Sequence, residues 1–147
     1  MTQNDACALL DEDHRKVERL FADYQAAGDR SKKNELAQTI CTELTVHAQI
    51  EEEIFYPPFR QATGDNDMVD EAEEEHQEAR DLIAKIEAAD APDALIAQLQ
   101  KAIDHHVKEE REEMFPKARS TAGLDLMALR RQLESRKAEL MASHQAG

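Results

Sequence analysis

Two stretches of this 147-residue chain repeat one pattern: HAQIEEEIFYP at residues 47–57 and HVKEEREEMFP at residues 106–116. Each places a histidine four residues ahead of a glutamate, His47 with Glu51 and His106 with Glu110. On an α-helix that spacing sends both side chains from one face, one turn apart. An imidazole nitrogen and a carboxylate oxygen held in this way can share a metal ion, or can simply hydrogen-bond to each other. Since 32 of the residues are acidic, one such pair alone is weak ground. Two pairs facing the same interior would carry far more, and that depends on the elements that hold them.

The composition favours helices: four glycines and four prolines leave little turn chemistry for a many-stranded sheet. The length fits one domain with a real core, and residues 1–147 are read as a single unit. Breakers at residues 26–33, 61–67, 88–94 and 120–123 divide it into four long helices and a shorter fifth. The expected architecture is all-α, with a four-helix bundle over about residues 5–118 and a C-terminal helix over about 123–143. Pro57, Pro58 and Pro116 are expected to end or kink the second and fourth helices at matching points.

Each long block carries an apolar stripe at steps of three and four, and each stripe has polar residues in its middle. His14 interrupts Leu10, Val17, Phe21 and Tyr24; His47 and Glu51 interrupt Ile40, Leu44 and Ile54. His76 interrupts Val69, Ala72, Ala79, Ile83 and Ile86; His106 and Glu110 interrupt Leu99, Ile103 and Met114. All four helices therefore turn a histidine towards the core, and two add a glutamate. A buried carboxylate without a partner costs several kcal/mol, so these glutamates need a cation or a strong donor. His105 and Glu109 share the four-residue spacing, but they fall in step with Gln98, Ala102 and Glu112 on a more polar flank. Aligning the prolines superposes His47 on His106 and Glu51 on Glu110, and DEDHRKVERLF and EEEHQEARDLI superpose His14 on His76. The chain reads as a tandem duplication of one helical hairpin.

Four imidazoles and two carboxylates can hold two metal ions. With both carboxylates bridging and two histidines per metal, each ion has four protein donors. An octahedral ion then keeps one position for a shared oxo or hydroxo bridge and one for a small molecule. Nitrogen and oxygen donors with open positions suit non-haem iron, with manganese next; zinc takes fewer ligands and calcium avoids imidazole. The alternative is a set of buried histidines hydrogen-bonded to glutamates, with no metal.

His14, His47-x-x-x-Glu51, His76 and His106-x-x-x-Glu110, with EEEIFYP and EEREEMFP following, closely resemble the hemerythrin-like (HHE cation-binding) family over about residues 8–118. The resemblance implies an up-and-down four-helix bundle around a carboxylate-bridged di-iron centre that meets O2, peroxide or nitric oxide. One position departs from the oxygen-carrying hemerythrins, which have a fifth histidine where this chain has Ala72. In those carriers that histidine fills one iron and leaves the other as the O2 site. Without it both irons keep open positions, or a water or Glu73 fills the gap. Peroxide disproportionation then gains over reversible O2 carriage. The ferritin-like plan needs E-x-x-H on two helices. Glu73-x-x-His76 meets it, but the first helix offers Asp11-x-x-His14 instead, and His47 and His106 would be superfluous.

A formal charge of −14 repels phosphate backbones and anionic lipid, so neither nucleic acid nor membrane is an expected partner. The N-terminus has neither a basic start nor a small-residue cleavage site, and a cytoplasmic location is expected. The oligomeric state expected is a monomer or weak dimer. Cys7 and Cys41 are read as buried thiols, Phe21, Tyr24 and Tyr56 as packing residues, and His144 as part of a disordered tail. Arg130, Arg131, Arg136 and Lys137 on the fifth helix are expected to pair with the acidic bundle or a second subunit. The leading function is a di-iron protein that binds O2, peroxide or nitric oxide, with catalase-like turnover of peroxide. The alternatives are a sensor or storage protein without catalysis, and a metal-free helical interaction module.

Overall fold

The computed structural model describes residues 4–146 of the chain. Helix α1 (Ala6–Ala26) leads through a three-residue connection to α2 (Arg30–Ile50). A π-helical turn (Glu51–Phe55) joins α2 to α3 (Tyr56–Thr63) without a break. Helix α4 (Asn66–Glu87) is followed by α5 (Asp93–Glu109), a second π-helical turn (Glu110–Met114) and α6 (Phe115–Ser120). Helix α7 (Leu126–Ala146) closes the described chain. The result is an up-and-down four-helix bundle with a fifth helix lying across α1 and α2. That fifth helix runs 21 residues, as long as α1, and lies three residues later than the expected range of about 123–143.

Aspartates start four of the helices, Asp125 before α7 accepting from the backbone N–H of Ala128. Asp5, Asp29 and Asp65 accept from the backbone N–H of Ala8, Ser31 and Met68, satisfying donors that the first turn leaves open. Gly64, at φ 72°, takes the left-handed conformation that ends α3, and α4 begins two residues later.

The prolines, expected to end or kink their helices at matching points, interrupt the α-helical pattern at matching points with a π-helical turn and do not end the helix. A proline has no N–H and its ring clashes with the carbonyl four residues back. The chain absorbs this by inserting one extra residue per turn just before it. The N–H groups of Tyr56 and Phe115 bond the carbonyls of Glu51 and Glu110, five residues back, and the α-helix resumes through Pro57, Pro58 and Pro116. Each π turn opens on one of the two core-facing glutamates.

The core divides into two apolar clusters. Leu10, Ile50, Phe55, Phe59, Val69, Met114, Phe115 and Leu133 belong to one, and Val17, Phe21, Ile40, Leu44, Ile83, Ile96, Leu99 and Ile103 to the other. Along the stripes the polar interruptions fall between them. Each fully buried aliphatic or aromatic side chain contributes about 1.5–3 kcal/mol. The buried polar layer is therefore carried by packing above and below it. Among the described residues no helix is long and apolar enough to cross a membrane.

Candidate metal centre

The structure brings all six residues singled out by the sequence into that layer. His14, His47, His76 and His106 are 4%, 6%, 4% and 4% exposed, and Glu51 and Glu110 are 0% and 1% exposed. The histidines form two pairs, His14 with His47 and His76 with His106, at ring-centroid distances of 4.8 and 4.7 Å. Glu51 and Glu110 lie between the pairs. Glu51 Oε1 stands 3.3 Å from His47 Nε2 and 3.1 Å from His76 Nε2. Glu110 Oε1 stands 2.9 Å from His14 Nε2 and 3.3 Å from His106 Nε2. Each carboxylate thus faces one histidine of each pair.

The outward nitrogens are all engaged by carboxylates. Nδ1 of His14 pairs with Asp11 at 3.2 Å, that of His47 with Asp13 at 3.1 Å, that of His76 with Glu52 at 2.7 Å and that of His106 with Glu75 at 2.7 Å. An ionised carboxylate only accepts, so each Nδ1 carries a hydrogen, and an imidazole that gives up its second proton presents its Nε2 lone pair inward. Carboxylate-backed imidazoles of this kind are the arrangement that orients a histidine for a metal. Cationic side chains stand behind three of the carboxylates: Arg111 behind Asp11, Lys137 behind Asp13 and Arg80 behind Glu52. In the repeat, Glu52 with Arg80 corresponds to Arg111 with Glu18, the same contact with its charges exchanged.

Among the described residues, four buried polar atoms lack hydrogen-bond partners: His14 Nε2, His47 Nε2, Glu51 Oε2 and Glu110 Oε1. The close approach of His14 Nε2 to Glu110 Oε1 is not aligned as a hydrogen bond. An orphaned buried acceptor costs about 1–3 kcal/mol, and more when charged. Four together within one set of imidazoles and carboxylates is the donor arrangement that a cation satisfies. Donor atoms of His14, His47, Glu51 and Glu110 lie within 4.8 Å of one another, as do those of Glu51, His76 and His106. The residues fit a bound metal, and Glu51 belongs to both groups.

The electrostatics agree. Burial opposes the charged form of His47, yet Glu51 and Asp13 outweigh it and lift the imidazole to about 10. His76 and His106 are raised in the same way against their own burial, by Glu51 with Glu52 and by Glu110 with Glu51 and Glu75. Burial pushes Glu51 up, but His47 and hydrogen bonds from its neighbours hold it well below the usual carboxylate range. The layer calls for positive charge, and protons supply it where no metal does.

Tyr56 belongs to this layer, which its sequence pattern does not indicate. Its ring stacks on His76 at 5.5 Å, as Phe115, its counterpart in the repeat, stacks on His14 at 5.9 Å. The packing expectation is right for the ring. The hydroxyl adds a contact that phenylalanine cannot make: it donates to Glu110 Oε2 at 3.0 Å and stands 3.3 Å from Glu51 Oε1 and His76 Nε2. Burial and the two glutamates raise it well above its ordinary value, so it stays a donor. The two halves of the centre therefore differ, one facing a hydroxyl and the other an apolar ring.

Ala72 is buried, and Glu73 is turned outward against Arg60 at 3.5 Å, which leaves the ferritin-like plan without its E-x-x-H carboxylate. His105 is 65% exposed and paired with Glu109 at 2.7 Å on the outer flank. His144 is exposed on α7, helical where the sequence reading expects disorder. Phe21 and Tyr24 pack in the apolar cluster away from the centre, Tyr24 with its hydroxyl bonded to Asp93. Burial pushes the thiols of Cys7 and Cys41 up to about 12, so neither is a nucleophile.

A four-helix bundle with a buried layer of carboxylate-backed histidines and two glutamates defines a helical cation-binding protein. The hemerythrin HHE cation binding domain matches residues 5–118, and the chain belongs to that family. A DNA nickase of Nostoc sp. (strain PCC 7120 / SAG 25.82 / UTEX 2576) is 34% identical over 112 residues, 74% of this chain and 32% of that protein. The chain thus spans about a third of that relative's length. The crystal structure of a hemerythrin HHE cation binding domain-containing protein from Mycobacterium kansasii superposes with a TM-score of 0.80 at 19% identity. The match covers 96% of this chain and 90% of that one, and it shows the fold.

Proposed function

We propose that the chain binds two iron ions through His14, His47, Glu51, His76, His106 and Glu110, and that O2, peroxide or nitric oxide meets the protein there. The observation that carries the reading is the set of unpartnered buried atoms on four of these six residues, backed by carboxylates at every imidazole. Bound iron would supply Lewis acidity and electrons. The chain's own residues set the conditions: the outer carboxylates hold each Nε2 inward, the two apolar clusters exclude bulk water, and Tyr56 holds a proton beside Glu110. Ala72 adds no ligand of its own, so bound iron would keep positions for a small molecule, which favours catalase-like turnover of peroxide.

The nickase activity named for the Nostoc relative is not carried over. This chain matches 32% of that protein, and its charge of −14 repels a phosphate backbone.

The test is elemental analysis of protein produced with iron, followed by oxygen evolution from peroxide. About two irons per chain, lost in His106→Ala and kept in His105→Ala, is the expected result; equal loss in both variants places the site on the wrong flank. Many turnovers per centre support catalysis, whereas a single stoichiometric bleach leaves a binding or storage protein.

A further inference from the structure

The candidate centre is buried, so a cation needs a way in. Between α4 and α5 a cavity of about 190 Å3 is bordered by Glu71, Ala72, Glu75, Glu109 and Glu113, and His106 and Glu110 line its inner end. Glu110, a residue of the centre with an unpartnered carboxylate oxygen, is 1% exposed and lines this cavity, so the cavity reaches the centre's own side chains. Ala72, whose side chain is a single methyl group, lines the same cavity.

At the mouth, Glu71, Glu75, His105 and Glu109 each bring one donor atom within 4.8 Å of the others. His105 Nε2 stands 2.7 Å from Glu109 Oε1 and 3.4 Å from Glu75 Oε2. The other oxygen of Glu75 accepts from His106 Nδ1 at 2.7 Å. One carboxylate therefore belongs to both the outer group and the inner layer. Among the described residues no lysine or arginine pairs with Glu71, Glu75 or Glu109, whose partners are histidines where they have any; at the rim Lys117 is taken up by Asp65 at 2.7 Å.

We propose that Glu71, Glu75, His105 and Glu109 form a second cation site, where a divalent first-row metal pauses before passing along the acidic cavity to the buried centre. The inference rests on the reading of that centre as a metal site. Three carboxylates and one exposed imidazole suit such an ion, and their exposure favours exchange over retention. A cleft lined by one sign of charge also raises the local cation concentration and the rate of capture by 10–10³-fold.

The experiment uses full-length metal-free protein and cobalt(II) as the probe, following its visible absorption in a stopped-flow instrument as the inner centre fills. In Glu71→Gln/Glu109→Gln the final cobalt content and spectrum are expected to match the wild type, while loading slows about ten-fold. Added salt should slow the wild type more than this variant. Asp23→Asn/Glu35→Gln, which removes equal charge from exposed positions at the far end of the bundle, should load at the wild-type rate. His105→Ala serves as a second variant of the same group and should also load slowly to full content. Unchanged loading in the cavity variants, or equal slowing in the far-end control, overturns the proposal. Wild-type protein that takes up no cobalt at the inner centre overturns the metal reading itself, before any variant is compared.

Discussion

Each imidazole of the buried layer is held by a carboxylate on one nitrogen and offered to the centre by the other, and at His47 this division sets the response to pH. His47 has a folded pKa of about 10 against 6.5 for the free side chain. A raised histidine contributes stability that is complete below the unfolded value and lost as pH rises through the folded one. Metal-free protein is therefore expected to lose stability between pH 6.5 and 10. Metal-loaded protein should behave oppositely at the acid end, because binding displaces those protons and occupancy falls as they return. Denaturant unfolding at several pH values, with chelator and with metal, separates the two; a metal-free protein that gains stability towards pH 10 would contradict the assignment. Tyr56 gives a second prediction at this scale. Tyr56→Phe keeps the ring on His76 but leaves Glu110 Oε2 without its donor, and metal-free protein should lose about 1–3 kcal/mol in the same assay.

At the scale of the element, the inward positions are legible because a helix has a fixed period. Six polar residues interrupt four apolar stripes, and the structure places all six in one layer. The outer carboxylates are not legible in the same way. Asp11, Asp13, Glu52 and Glu75 stand among 32 acids, and three of their four contacts cross between helices, which periodicity within one helix does not reach. The available signal is the repeat itself, in which Asp13 and Glu75 hold equivalent places immediately before His14 and His76. The π turns are hidden for another reason: a proline announces a conflict with helix geometry but not how the chain resolves it. Glu53 is exposed within the first π turn, so deleting it tests what the turn does. The deletion restores α-helical spacing with Phe55, Tyr56 and Phe59 still in register, because the π turn takes up the one extra residue, and it returns the rings of Pro57 and Pro58 to the clash that an α-helix imposes on them. The expected cost is about 3 kcal/mol or more. A deletion variant that melts with the wild type would show that the turn is dispensable.

At the scale of the whole molecule, α7 lies beyond the residues matched by the family, 5–118, yet it reaches the candidate centre. Leu129 and Leu133 bury it against the bundle, and its basic residues bind the bundle's acids: Arg130 with Glu12, Arg136 with Glu53 and Lys137 with Asp13. Of the two partners the sequence leaves open for this cluster, the bundle is the one these three residues meet. Lys137 differs from the others because Asp13 is buried and orients His47. Burial raises the Asp13 carboxyl, and it is the contacts with His47 and Lys137 that bring it below its ordinary value. Removing the lysine charge leaves a buried carboxylate with one partner fewer and a histidine less firmly directed. Lys137→Met keeps the length and apolar stem, so the fold and the helix content should persist. Metal affinity should fall about ten-fold or more, the usual cost of losing a group behind a metal-binding histidine. Competition with a chelator of known affinity measures this directly, and Lys137→Arg should recover most of the loss. An unaltered affinity in Lys137→Met would make α7 a packing element alone, with the centre complete inside the four-helix bundle.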